Sequence, residues 1–168
     1  MKRIVITQGE HCTSADPDAT ISTLLGSCVA CCLWDPVARV GGMNHMLLAV
    51  HPKGGIQSES LSGVNAMELL INDLLKLGAM RHRLMAKAFG GARMISGLSD
   101  IGPANCAFAK AYLEREGIEC VSESLGGELA RHVVFVPTTG VARVKVQRGA
   151  PEIAPVVPTP VGNGLELF

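Results

Sequence analysis

A thiol and an imidazole capable of acyl-transfer chemistry fall within one stretch of the chain, Ile21 to Leu48, which reads ISTLLGSCVACCLWDPVARVGGMNHMLL. Cys28 follows the small residues Gly26 and Ser27 at the start of an apolar run. Small residues there allow a substrate backbone to approach and permit unusual dihedrals. Free N–H groups at such a strand entry can receive an oxyanion. His45 lies on the next apolar run, and between the two stands Asp35-Pro36-Val37-Ala38, in which proline at the second position favours a turn. A hairpin centred between Pro36 and Val37 sets Cys28 directly opposite His45. Opposed Cβ atoms of an antiparallel pair are roughly 4.5–5.5 Å apart, close enough for a thiol to meet an imidazole. A bulge in the turn would shift that pairing by one residue. The chemistry expected of the pair is attack by sulfur, with the imidazole as base.

The same residues admit quieter readings. A lone thiol in an apolar strand is ordinarily core, and Cys31, Cys32, Cys106 and Cys120 are read that way. Cys12 sits beside His11 in a polar loop with no evident partner. Cys28-Val29-Ala30-Cys31 has the spacing of redox and zinc motifs, but strand residues three apart face opposite sides. Neither a second C-x-x-C nor an H-x₃₋₅-H accompanies it. His51, His82 and His132 read as solvated. The glycine pairs at 41–42, 54–55, 90–91 and 126–127 lack the strand and helix context of a dinucleotide site and the lysine of a P-loop. They read as turns and close packing, and no cofactor or metal is expected.

Several elements are needed to position this stretch. Lys2 to Thr7 reads as a strand, as do Ser27 to Trp34 and Arg39 to Ala49. Val64, Met67, Leu70, Ile71, Leu74 and Leu75 fall on one stripe at the helical period. That predicts a helix over Ser62 to Leu77, capped by Ser62 and stopped by Gly78. Leu84 to Phe89 is a further strand, and Pro103 to Glu116 a second helix with proline in its first turn and Gly117 after it. Ile118 to Ser122, His132 to Val136 and Val141 to Val146 complete the strands, the last two joined by a hairpin at Pro137-Thr138-Thr139-Gly140. The fold class is α/β in the α+β sense: mixed β-sandwich or sheet layers flanked by helices in a single domain.

Composition narrows the function classes. The chain has 168 residues, 48% of them hydrophobic and 18% charged, a length that buries a real core without disulfides. Fifteen Lys and Arg balance fifteen Asp and Glu, and 4% of residues are aromatic. Neither phosphate attraction nor base stacking is favoured, so no nucleic-acid partner is expected. No apolar run approaches the ~18 residues that span a bilayer, and Ile4 to Ile6 is too short for a signal peptide. A cytoplasmic protein without membrane insertion is expected, its cysteines mostly thiols. From Gly149 the sequence turns proline-rich and lacks Lys and Arg. Residues 1–148 therefore read as the domain and 149–168 as an extended tail, frayed or packed on its own domain, with docking of Leu165 to Phe168 into a partner groove as the alternative.

The run Leu25-Gly26-Ser27-Cys28-Val29, then Asp35-Pro36, then Gly41-Gly42-Met43-Asn44-His45, resembles the CheD family of chemoreceptor glutamine deamidases. The resemblance continues through Phe89-Gly90-Gly91-Ala92, Gly126-Gly127 and the hairpin near Thr139-Gly140, over roughly residues 1 to 147. It implies an α/β sandwich, no cofactor, and hydrolysis of selected glutamine side-chain amides on methyl-accepting chemotaxis receptors. It also implies Cys28 as nucleophile, forming a thioester, and His45 as base. The family's third residue is a threonine six positions before the cysteine; here Ser22 stands there, with Thr23 beside it. Counting six residues back along an extended segment puts Ser22 on the face of Cys28 and turns Thr23 away. Ser22 is therefore expected to orient His45, with Thr23 as the alternative. Two further functions are weighed: a non-catalytic adaptor binding receptors or a phosphatase of the CheC type, and receptor methylesterase or transglutaminase-like acyl transfer at the same thiol.

Overall fold

The computed structural model describes residues 1–48, 56–94, 101–147 and 165–168. In chain order the elements are β1 (Lys2–Val5), β2 (His11–Ser14), β3 (Ala19–Leu25), β4 (Val29–Asp35), β5 (Val40–Asn44), α1 (Ile56–Lys76), β6 (Met85–Gly90), α2 (Ile101–Arg115), β7 (Glu119–Leu125), β8 (Ala130–Phe135), β9 (Ala142–Gln147) and β10 (Leu165–Leu167). A turn of 3₁₀ helix, Arg81–Arg83, precedes β6. The strands form two five-stranded sheets, ordered β1-β3-β8-β9-β10 and β2-β5-β4-β6-β7. Both are mixed, with parallel pairs β1–β3 and β6–β7 among antiparallel ones.

Strand alternation divides the apolar residues between two cores. Ile21 and Leu25 of β3, with Val133 and Phe135 of β8, pack against Ala30, Cys32 and Trp34 of β4 and Phe89 of β6, closing the two sheets face to face. The other face of β4, Val29, Cys31 and Leu33, packs beneath Met67, Leu70, Ile71 and Leu74 of α1 and Ala109, Tyr112 and Leu113 of α2. The layers are thus sheet, sheet, helices, and the expected fold class holds.

Three local expectations are corrected. Helix α1 begins at Ile56, so Ser62 lies inside it and caps nothing. Its neighbour Gly63 is where the helices meet: a Cβ there would overlap the Phe108 ring and Leu48. His11 and Cys12 lie on strand β2, pairing with Asn44 and Met43, and not in a loop. The β4–β5 hairpin carries four loop residues, since Asp35 pairs with Val40 and Cys32 with Met43. The Asp35 carboxylate builds that loop by accepting the N–H groups of Val37 (2.9 Å) and Ala38 (3.0 Å). Arg39 closes it in the left-handed region (φ 59) while its N–H bonds the Asp35 carbonyl (2.8 Å).

The chain's end joins the domain. β10 pairs antiparallel with β9, the Phe168 ring meets Phe89 edge-on at 5.6 Å, and Lys87 Nζ donates to the Phe168 carbonyl. The expected tail otherwise falls outside the described residues. Among the described residues no helix is long and apolar enough to cross a membrane.

Candidate active site

Cys28 ends a three-residue bend, Gly26–Cys28, by which the chain crosses from β3 in one sheet to β4 in the other. All three carbonyls of the bend are held. Gly26 accepts from the Ala92 N–H (3.0 Å), Cys28 from the Gly91 N–H (2.8 Å), and Ser27 from Asn105 Nδ2 (2.8 Å). The approach of the 90–92 segment requires glycine. Gly90 has φ 108, and a Cβ on it would collide with the Cys28 carbonyl. Cys28 is 8% exposed and its side chain belongs to the core between the sheets. Burial raises its thiol pKa above the ordinary value.

His45 follows β5 and is held on its own backbone by β2-side residues. Its N–H bonds the Glu10 carbonyl (3.0 Å), and its carbonyl accepts from Gly9 (2.9 Å). The imidazole is 7% exposed, and its Nδ1 lies 2.7 Å from Thr23 Oγ1. Thr23, 1% exposed, also donates to the Ile6 carbonyl at 2.7 Å. A hydroxyl has one proton. Because a carbonyl can only accept, that proton belongs to the Ile6 bond, and Oγ1 accepts from Nδ1–H. The ring is thereby held as the Nδ1–H tautomer with Nε2 basic. Burial lowers the His45 pKa, opposed by the charge of Glu10, whose carboxylate is itself fixed by the Thr7 hydroxyl and N–H at 2.7 Å each.

The four-residue loop changes the relation between Cys28 and His45. Val29 bridges Met46, so the position opposite Cys28 is Leu47, and His45 stands opposite Ala30. The two residues are diagonal neighbours on the same inward face, not the directly opposed pair expected from a turn centred on Pro36 and Val37. Diagonal neighbours are separated by roughly 7–8 Å, within reach of a long side chain. Burial pushes the thiol up and the imidazole down, which favours the neutral form of each.

Thr23, and not Ser22, touches His45. The expected parity was counted back from Cys28 through Gly26 and Ser27, where the bend interrupts the alternation. Within β3 the apolar phase is unbroken: Ile21, Thr23 and Leu25 point inward. Ser22 is on the other face, at register positions facing Val5 and Val134. The buried Ile21/Leu25 phase was the sequence signal for Thr23. Asn105 had no such signal.

Cys28 and Cys31 do not converge, since Cys31 faces the helices and Cys28 the opposite sheet. Burial pushes the Cys31 thiol up to about 12 and holds Cys32 well above the ordinary value. All six cysteines are free thiols. His11 bonds Asp73 at 2.8 Å, burial and Lys145 lower the His132 pKa, and His51 lies outside the described residues. A cleft of about 190 Å³ adjoins His45 on the α1 side, lined by Glu10, His11, Asn44, Ser62 and Asn65 among others. Cys28 is not part of its wall.

A family model described as "CheD chemotactic sensory transduction" matches residues 49–146, downstream of both Cys28 and His45. Two relatives span nearly the whole chain, including that upstream stretch. One from Acidiphilium cryptum is 48% identical, covering 99% of this chain and 94% of its own. One from Rhizobium rhizogenes is 49% identical, covering 99% and 96%. Each bears the name "Probable chemoreceptor glutamine deamidase CheD". Among solved structures the Neisseria meningitidis protein NMB0706 is similar in fold, with a TM-score of 0.50 at 11% identity over 82% of this chain and 76% of that one.

Proposed function

The chain belongs to the CheD family, and from that premise we propose that it hydrolyses the side-chain amides of selected chemoreceptor glutamines to glutamates, with Cys28 as nucleophile and His45 as base. The observation that carries the reading is the tautomer of His45. Thr23 occupies Nδ1, which leaves Nε2 to take a proton on the face that Cys28 shares.

The chemistry follows from these groups. Cys28 gives its proton to His45 Nε2 as sulfur bonds to the carboxamide carbon. The imidazolium then protonates the amide nitrogen, the C–N bond breaks, and ammonia leaves a thioester. Nε2 next takes a proton from water, whose oxygen attacks the thioester. The C–S bond breaks, and the thiolate recovers its proton from the ring. Water is consumed and ammonia released, with no redox change and no cofactor in the sequence of steps. Because burial favours the neutral form of each group, the proton moves as attack occurs.

The partners that accompany this reading are methyl-accepting chemotaxis receptors and, from the family resemblance, a phosphatase of the CheC type. The cytoplasm is the corresponding compartment, and the six free thiols support it. Intact-mass analysis of a receptor cytoplasmic domain tests the activity. Wild-type protein should exchange –NH₂ for –OH on defined glutamines, and Cys28→Ala should leave the receptor mass unchanged. Loss of a methylene from methylated receptor would instead identify an esterase. An unchanged receptor with wild-type protein would leave only the adaptor reading.

A further inference from the structure

Asn105, on α2, connects the two halves of the site. It is 2% exposed. Its Oδ1 accepts the N–H of Leu48, three residues after His45, at 3.1 Å, and its Nδ2 donates to the carbonyl of Ser27, one residue before Cys28, at 2.8 Å. These assignments are forced, because an N–H must meet Oδ1 and a carbonyl must meet Nδ2. A trans peptide points its C=O and N–H in opposite directions. Holding the Ser27 carbonyl toward α2 therefore turns the Cys28 N–H away from α2, toward the inter-sheet side where the Cys28 side chain lies. Among the described residues that N–H has no acceptor, while the carbonyls on either side are engaged.

We propose that Asn105 is a positioning residue: by gripping the Ser27 carbonyl it aims the Cys28 N–H at the oxygen of the carbonyl that Cys28 attacks. The inference rests on the reading of Cys28 as nucleophile, but not on the identity of the receptor substrate. The N–H is the oxyanion donor, and Asn105 acts only through the peptide it orients. A preset donor is stabilising because it needs no reorganisation when charge develops on oxygen. In Asn105→Asp the acceptor for Leu48 is retained. A carboxylate oxygen then faces the Ser27 carbonyl, and the grip is lost.

Two reagents separate this role from simple support of the fold. p-Nitrophenyl acetate acylates sulfur through a tetrahedral oxyanion, whereas iodoacetamide alkylates it by displacement without one. Both rates are read on the Cys28 peptide by mass spectrometry, in wild type and Asn105→Asp. Acetylation should fall about 10-fold or more, toward the 10²–10³ typical of a lost oxyanion donor, while alkylation stays within about twofold. Equal loss of both rates, or no loss of acetylation, overturns the proposal, as does a wild-type Cys28 that p-nitrophenyl acetate does not acylate. A wild-type measurement serves should the variant not fold. The Cys28 amide should shift downfield when Cys28 is acetylated. An amide whose shift does not move on acetylation overturns the assignment. Failure to deamidate receptors, with the two-reagent split intact, would count against the substrate reading alone and support the role of Asn105.

Discussion

Thr23 fixes the tautomer of His45 from another sheet. Its hydroxyl gives its proton to Ile6 and receives the Nδ1–H of the ring, both at 2.7 Å. The hydroxyl is thus both spent and positioned: it cannot rotate to donate elsewhere without abandoning the Ile6 carbonyl. The orienting partner of His45 is set by the pairing of β1 with β3, which brings Ile6 beside Ser22 (N···O 2.9 Å) and leaves its carbonyl for Thr23.

Substitutions at the two neighbouring hydroxyls should therefore part company. Thr23→Ala leaves the Nδ1–H and the Ile6 carbonyl without their partner, at about 1–3 kcal/mol for each buried group left unsatisfied. Turnover should fall at least about 10-fold, because the ring loses its fixed tautomer. Thr23→Ser keeps the hydroxyl and should recover most of the rate. Ser22→Ala, on the outer face of β3, should leave kcat unchanged. Steady-state kinetics on a receptor peptide, with thermal melts alongside, read all three. A larger loss from Ser22→Ala would reverse the assignment.

The opposite pKa directions of the pair predict two separate pH profiles. Turnover requires neutral His45, whose pKa burial holds below the ordinary 6.5, so the acid limb of kcat/KM should lie below that value. Alkylation by iodoacetamide requires thiolate, and burial raises the Cys28 pKa above the ordinary 9.0. Its rate should still be climbing at pH values where turnover has levelled off. His45→Ala should lose about 10²–10⁴-fold in turnover. Coincident profiles would instead mean a thiolate–imidazolium pair in the resting protein.

Asp35 ties the β4–β5 loop to the segment before β6, and its loss should be felt in stability. The carboxylate accepts from Val37, Ala38, Met80 (2.9 Å) and Arg83 Nε (2.9 Å). Burial acts to raise its pKa, but the bonds from Ala38, Met80, Arg83 and Val37 outweigh it and hold the carboxyl below its usual value. A depressed folded pKa contributes stability that is present above the unfolded value and lost as pH falls through the folded one. Asp35→Ala should cost about 3 kcal/mol or more at pH 7. The difference from wild type should narrow on acidification below the ordinary carboxylate range. Urea melts at two pH values test both statements, and a pH-independent difference would contradict the second.

The C-terminal strand should matter for stability and not for chemistry. Phe168 covers Phe89, whose other contacts lie in the core between the sheets. Phe168→Ala should lower stability by about 1–2 kcal/mol for partial loss of a buried ring, with turnover on a short receptor peptide unchanged. A matching loss of turnover would make β10 part of the active domain's working structure.

Much of this was legible because apolar phase is local. The helical stripe from Met67 to Leu74 and the continuous apolar run of β4 need no knowledge of the rest of the chain. What escaped was polar and distant. β2, with the sequence His-Cys-Thr-Ser, is half-buried and carries no alternation to read. The register of the β4–β5 hairpin was missed because Asp35 replaces backbone partners with its carboxylate, a contact that hydrophobic pattern does not encode. Alternation carried along the sequence favours Ser22 over Thr23 because the bend at Gly26–Cys28 is not visible in it. Asn105 meets Ser27 from 78 positions away, a separation at which only the folded chain brings residues together.

The clamp on Gly26, Ser27 and Cys28 draws on Gly91, Ala92 and Asn105, all synthesised long after the thiol they hold. Contacts so far apart in sequence form late in folding. A nascent chain that has emerged as far as His45 carries an ordinary cysteine on an unheld bend. The Ser27 carbonyl can meet Asn105 only after α2 has been synthesised and docked, so the bend around the thiol is completed by the second half of the chain.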